Sequence, residues 1–93
     1  MQTPAALRGK DKADRVFFDR AEAISIDSFG ARVRTRFRLK VGSTVGVELP
    51  TEEGQKQMRV VWCGDEGGIH EGIIGLEFAD SEEGWSPSTL RAR

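Results

Sequence analysis

The sequence holds one cysteine, one histidine and no long apolar run. Cys63 on its own cannot form an intrachain disulfide. With His70 as the sole histidine, a four-ligand Cys/His metal site cannot be assembled either. No stretch approaches the ~20 apolar residues of a membrane-spanning helix. The N-terminus shows no basic-then-apolar leader, so a cytoplasmic location is expected. There is no nucleophile–base pair, phosphate-binding P-loop or glycine-rich dinucleotide fingerprint, and an enzyme is not expected. No internal repeat or low-complexity tract occurs. The lone thiol reads as a small apolar filler near a strand end. His70, beside Asp65, Glu66 and Glu71, reads as part of a wet loop.

What is present fits one small folded domain. Ninety-three residues allow one modest core. A charged fraction of 31% beside 38% hydrophobic residues suits a globular chain rather than a disordered one. The charge is unevenly spread. Residues 1–40 hold ten Lys/Arg against five Asp/Glu, and residues 41–93 hold four against ten. A pI near 5.8 argues against a general nucleic-acid binder. The asymmetry instead predicts that basic and acidic strands face one another, within one molecule or between two.

The chain is organised around residues 25–40, SIDSFGARVRTRFRLK. This reads as a strand end, a tight turn at Ser28-Phe29-Gly30, and a second strand over residues 31–38. Ala31, Val33, Thr35, Phe37 and Leu39 share one parity; Arg32, Arg34, Arg36, Arg38 and Lys40 share the other. Successive side chains in a strand alternate faces, so one face is apolar-leaning and the other cationic. Before it, residues 15–27 are β-branched and aromatic, with a phase change that predicts a bulge near Ala23. After it, alternation predicts strands over residues 43–49, 55–63 and 69–79. These set Val45, Val47 and Leu49, then Met58, Val60 and Trp62, then Ile74, Leu76 and Phe78 inward. Trp85 is expected to plug a barrel end. Residues 1–14 read as a flexible or loosely docked tail. Residues 86–93 read as a C-terminal tail, either frayed or one short helical turn. Five alternating runs with short turns predict an all-β fold, a small antiparallel β-barrel over residues 15–85.

In order, SIDSFGARV (25–33), LKVGSTVGVELP (39–50), MRVVWCG (58–64) and EGIIGLEFAD (71–80) resemble the PilZ domain. That family is a six-stranded bacterial barrel that binds the second messenger cyclic di-GMP. The Gly84-Trp85 pair is similar to a variant in its divergent members. The resemblance implies a ligand site made from two motifs. In Arg-x-x-x-Arg, guanidinium forks clamp guanine edges and phosphates; the nearest counterpart is Arg8-x-x-x-Lys12, with lysine at the second place. In Asp/Asn-x-Ser-x-x-Gly, alignment on Gly30 puts Ser25 at the Asp/Asn place and Asp27 at the serine place. Gly30 is expected where the backbone takes φ > 0 or closely approaches a ligand. The candidate ligand residues are therefore Ser25, Asp27, Gly30, Arg32, Arg8 and Lys12, beside the basic face of Arg34, Arg36, Arg38 and Lys40.

The 13 residues from Lys12 to Ser25 leave no room for the family's first hairpin strand. That strand is expected to be missing or replaced, leaving five strands and an open seam. Exposed edges pair with other chains, so a homodimer or a docked partner strand is expected. Two functions follow. One is a PilZ-like module of bacterial cyclic di-GMP signalling that binds the nucleotide weakly. The other is a degenerate PilZ-like interaction domain that binds no nucleotide and works through its basic strand or open edge. Blander roles stand beside these. The basic face also reads as a solvated surface offset by Glu48 and Glu77. Ser25 and Asp27 also read as turn-formers, and the tryptophans as core or barrel-end packing.

Overall fold

The structure, a computed structural model, describes residues 3–92. Among them are the strands β1 (Thr3–Lys10), β2 (Val16–Asp27), β3 (Gly30–Arg34), β4 (Thr44–Glu48), β5 (Lys56–Cys63) and β6 (Ile73–Phe78). One short helix follows, α1 (Pro87–Ala92). Each strand pairs antiparallel with two neighbours, and the ring closes in the order β1-β2-β3-β6-β5-β4. The small antiparallel barrel expected from alternation is the observed fold. No helix among the described residues is long and apolar enough to cross a membrane.

The strand count and the seam are corrected. Most of the expected N-terminal tail is β1, whose eight residues pair with β2 from Thr3↔Ala23 to Lys10↔Val16. On its other side Ala6, Leu7 and Arg8 face Glu48, Val47 and Gly46 of β4. This strand fills the place expected to be open, and Leu7 is fully buried inside the ring. Residues 1, 2 and 93 of the expected tails lie outside the described residues.

The interior is filled by alternate residues of every strand. Leu7, Val33, Val45, Val47, Met58 and Val60 are almost wholly shielded from solvent, with Ala23, Ile74 and Leu76 beside them. The expected bulge lies between Ala23 and Ser25, where the β2–β3 register slips by one residue. A second slip, between Val60 and Trp62, was not anticipated by alternation.

The expected second strand is shorter than its alternation. It ends at Arg34, and residues 35–41 cross one end of the barrel as a strap. Thr35 redirects the chain. Its N–H donates to the Gly72 carbonyl at 2.8 Å, and its hydroxyl donates to Asp19 Oδ2 at 2.6 Å. The same oxygen accepts from the Phe37 N–H at 3.2 Å. Phe37 then stacks on Phe17 with ring centroids 4.8 Å apart, and Leu39 is buried. Leu39 and Phe37 thus follow the predicted parity while plugging an end rather than lining a wall.

The opposite end is closed by Trp85 and α1. The Trp85 indole packs edge-on against Phe78 at 4.7 Å and donates to the Gly30 carbonyl at 3.1 Å. The helix begins at Ser-Pro, a capping residue followed by a proline pre-set for the first turn. Ser86 Oγ accepts from the Thr89 N–H at 3.4 Å. The buried carboxylate of Glu52 accepts from the Ser86 N–H at 2.8 Å and from the Thr89 hydroxyl. Lys56 Nζ lies 3.9 Å from it. Burial pushes the Glu52 pKa up. The hydrogen bonds from Thr89 and Ser86, together with the Lys56 charge, outweigh that and hold it below the ordinary glutamate value.

A group whose pKa is depressed by folding stabilises fully above its unfolded value, and that stability is lost as pH falls through the folded one. Acidification below the ordinary glutamate range is therefore expected to loosen α1. Leu90 reports it, because its N–H donates to the Ser86 carbonyl at 3.1 Å. At neutral pH, Glu52→Gln is expected to cost about 1–2 kcal/mol of docking. Hydrogen exchange at Leu90 should quicken roughly tenfold, and the acid-dependent step should vanish. An unchanged Leu90 rate in the variant would show that Glu52 does not anchor the helix.

Candidate functional site

Ser25, Arg32, Gly75 and Trp62 form one row across the outer wall, on β2, β3, β6 and β5. Ser25 faces Arg32, Arg32 faces Gly75, and Gly75 faces Trp62. The second bulge creates this row. Had β5 kept its phase after Val60, Trp62 would point inward with Met58, as alternation predicted. Instead it lies half-buried on the outside, over Gly75. A Cβ at Gly75 would sit 2.4 Å from the indole Nε1, so the ring needs the bare backbone beneath it. The Arg32 guanidinium lies 5.5 Å from the Trp62 ring centroid, within cation–π range. His70 meets the same indole edge-on at 6.2 Å. Ser25 and Arg32 are exposed. A planar cation held against an indole, with a hydroxyl beside it, can stack on and hydrogen-bond a planar or anionic group.

Asp27 and Gly30 lie next to this wall, and both have structural work. Asp27 Oδ1 accepts from the N–H groups of Phe29 at 2.8 Å and Gly30 at 2.9 Å. That is an Asx-type turn, the turn chemistry read as its blander role. Gly30 does not have the positive φ allowed for it. Its requirement is steric, because a Cβ there would lie 1.8 Å from the Leu76 carbonyl oxygen on β6. The close approach is to a neighbouring strand.

Arg8 and Lys12 do not join the wall. Arg8 is on β1, opposite Phe18 and Gly46, and stacks over the Phe18 ring at 5.0 Å. Phe18 is seven residues up β2 from Ser25, roughly 23 Å at strand rise. Lys12 sits at the strap end, where its N–H donates to the Arg38 carbonyl at 2.7 Å. Of the six candidate ligand residues, four are gathered and two are remote.

The basic face is balanced differently from the sequence expectation. Arg34 faces Glu22 across the β2–β3 ladder. Arg36 Nε is 3.4 Å from the buried carboxylate of Asp19, and Arg38 pairs with Glu66. Glu48 instead faces Ala6, and Glu77 faces Gly30 and Arg59. Lys40 is exposed near the far end of the strap. Sequence reasoning missed Asp19, Gly75 and the outward turn of Trp62. Of these, only the Gly between two large-residue strands left a visible trace, since strand glycines mark bulges and close approaches.

A cleft of about 510 Å³ lies beside the strap, with Lys12, Arg36 and Arg38 on one side and Asp65, Glu66 and Glu71 on the other. Cys63 is in its lining. Burial pushes the thiol pKa up, against the pull of Lys12, and Sγ faces the Leu39 carbonyl at 3.4 Å. A thiol held protonated is a poor nucleophile and a poor metal ligand. No group of three or more His, Cys, Asp or Glu residues placed to hold a metal ion occurs among the described residues. No family model matches the chain, and neither does any curated protein or solved structure.

Proposed function

We propose that the chain is a PilZ-like, non-catalytic binding module of bacterial cyclic di-GMP signalling, with Ser25, Arg32 and Trp62 as its recognition wall. The observation that carries this is the convergence of the resembling words. SIDSFGARV, MRVVWCG and EGIIGLEFAD fall on neighbouring strands of one closed barrel, and their outward residues form a single row. Arg32 would bond a guanine edge or phosphate through its fork while Trp62 limits its swing, and Ser25 would add a hydroxyl. A second reading is that the wall serves a protein partner and no nucleotide. The remote placement of Arg8 and Lys12 favours it, because a single arginine replaces the expected clamp. The Asp27 carboxylate beside the wall also repels a dianion.

Amide chemical-shift titration with cyclic di-GMP at modest salt separates the two. Weak binding is expected, with saturating shifts centred on Ser25, Arg32 and the Trp62 indole, and at least tenfold weaker binding in Arg32→Glu. Unchanged affinity in that variant would remove Arg32 from the site. An absence of shifts at millimolar nucleotide would leave the protein-binding reading.

A further inference from the structure

The ring closes, yet β2 is longer than its partner on one side. The β2–β3 ladder ends at Glu22↔Arg34, and β2 continues from there back to Val16. Along this stretch β1 covers one edge throughout. On the other edge the β2–β3 ladder stops at Arg34, and Arg36, whose backbone would supply the next rung, makes no backbone bond to β2 among the described residues. The Asp11 N–H donates to the Arg15 carbonyl at 2.9 Å, one step beyond Lys10↔Val16 in the same register. Bonded and non-bonded pairs alternate along an antiparallel ladder. Phe17, Asp19 and Ala21 therefore bond to β1, and Val16, Phe18 and Arg20 direct their N–H and C=O groups to the vacated side. Among the described residues no backbone group from the strap bonds to them.

This edge borders an open depression of about 680 Å³ whose lining includes Phe18, Asp19, Arg20, Glu22, Arg34 and Arg36. Phe18 is 46% exposed, large for an aromatic residue. The charges around it are unequal. Asp19 is buried and engaged by Thr35 and Arg36, and Glu22 stands opposite Arg34. Arg20, and Arg8 over the Phe18 ring, are in no ion pair among the described residues. An unpaired edge offers main-chain hydrogen bonds to an extended segment, while flanking side chains select its sequence.

We propose that the β2 edge at residues 16–20 receives an extended acidic peptide segment by strand addition. Carboxylates on the outward face of the added strand meet Arg20, Arg34 and Arg36, and an apolar residue two positions along that same face packs beside Phe18, which shares the outer face with Arg20. Five residues of edge span roughly 17 Å, room for a segment of similar length. This surface is separate from the Ser25–Arg32–Trp62 wall, and it stands whether or not that wall takes a nucleotide.

The probe is an end-capped hexapeptide, Thr-Glu-Thr-Val-Thr-Glu, whose valine and glutamates share one face, titrated into the full chain and followed by amide exchange. A version N-methylated at alternate residues cannot complete the ladder. The expected result is at least tenfold slower exchange at the Phe18 and Arg20 amides with the parent peptide and no slowing with the methylated one. Arg20→Glu is expected to weaken binding at least tenfold with the thermal midpoint unchanged. No protection at these amides with millimolar parent peptide would overturn the proposal. So would equal responses to both peptides, since charge alone would then account for the contact.

Discussion

Gly30→Ala is expected to cost about 3 kcal/mol or more of folding stability, the upper part of the range for forced overpacking. The methyl group would meet the Leu76 carbonyl oxygen at 1.8 Å, so the β3–β6 ladder has to part at that rung. The obstacle is backbone, which cannot swing aside as a side-chain end can. The same shift disturbs the Gly30 carbonyl that accepts the Trp85 indole N–H, so the barrel end is loosened together with the wall. A domain of this size has a net stability of roughly 5–15 kcal/mol, and the loss is a large share of it. Urea unfolding measures the cost. The result also separates two roles for this glycine. If it were there only to let a ligand approach, the alanine variant would fold at full stability and lose binding alone.

Leu7→Ala is expected to destabilise by roughly 2–5 kcal/mol, the usual cost of emptying a buried leucine site. For a domain of under 100 residues that lowers the thermal midpoint by roughly 10–25 °C. Leu7 is fully shielded and stands between Asp19 of β2 and Val47 of β4, at the rung where the ring closes. A cavity there weakens both seams of β1 together. The comparison is Ala6→Ser, on the outer face of the same strand, where a change within about 0.5 kcal/mol is expected. Equal, small effects at both positions would return residues 3–10 to the loosely docked tail expected from sequence.

That expectation failed for a physical reason. TPAALRGK contains a proline, a glycine and two alanines, residues with low intrinsic strand preference. It is a strand because β2 and β4 pair with it on either side, a tertiary cause that no local window contains. Alternation was reliable where one face met the core, as in Val45, Val47 and Leu49 or in Ile74 and Leu76. It also marked the bulge after Ala23. It misled in the strap, because a chain draped over an apolar barrel end buries every second residue just as a strand does. Thr35 ends the strand through Asp19, a contact 16 residues away in sequence. Trp62 was assigned to the wrong face because a one-residue slip reverses every side chain beyond it. For the candidate site, Ser25 and Arg32 were legible as neighbours across a short turn. The separation of Arg8 and Lys12 from them was not, since it depends on where β1 lies.

The strand order divides the chain into two meanders, β1-β2-β3 and β4-β5-β6, each formed between sequence neighbours. Among the described residues two strand seams join them, β1 to β4 and β3 to β6, and both connect residues about forty or more positions apart, such as Leu7↔Val47 and Ala31↔Leu76. Each meander can assemble through short loop closures, and the long closures are met once, when the two sheets curl onto each other. Residues 3–34, the span of the first, hold seven Lys/Arg against five Asp/Glu, and residues 44–78, the span of the second, hold two against seven. The uneven charge distribution thus becomes an attraction between two folding units. It draws them into one ring and sets like-charged halves of separate molecules against pairing with each other.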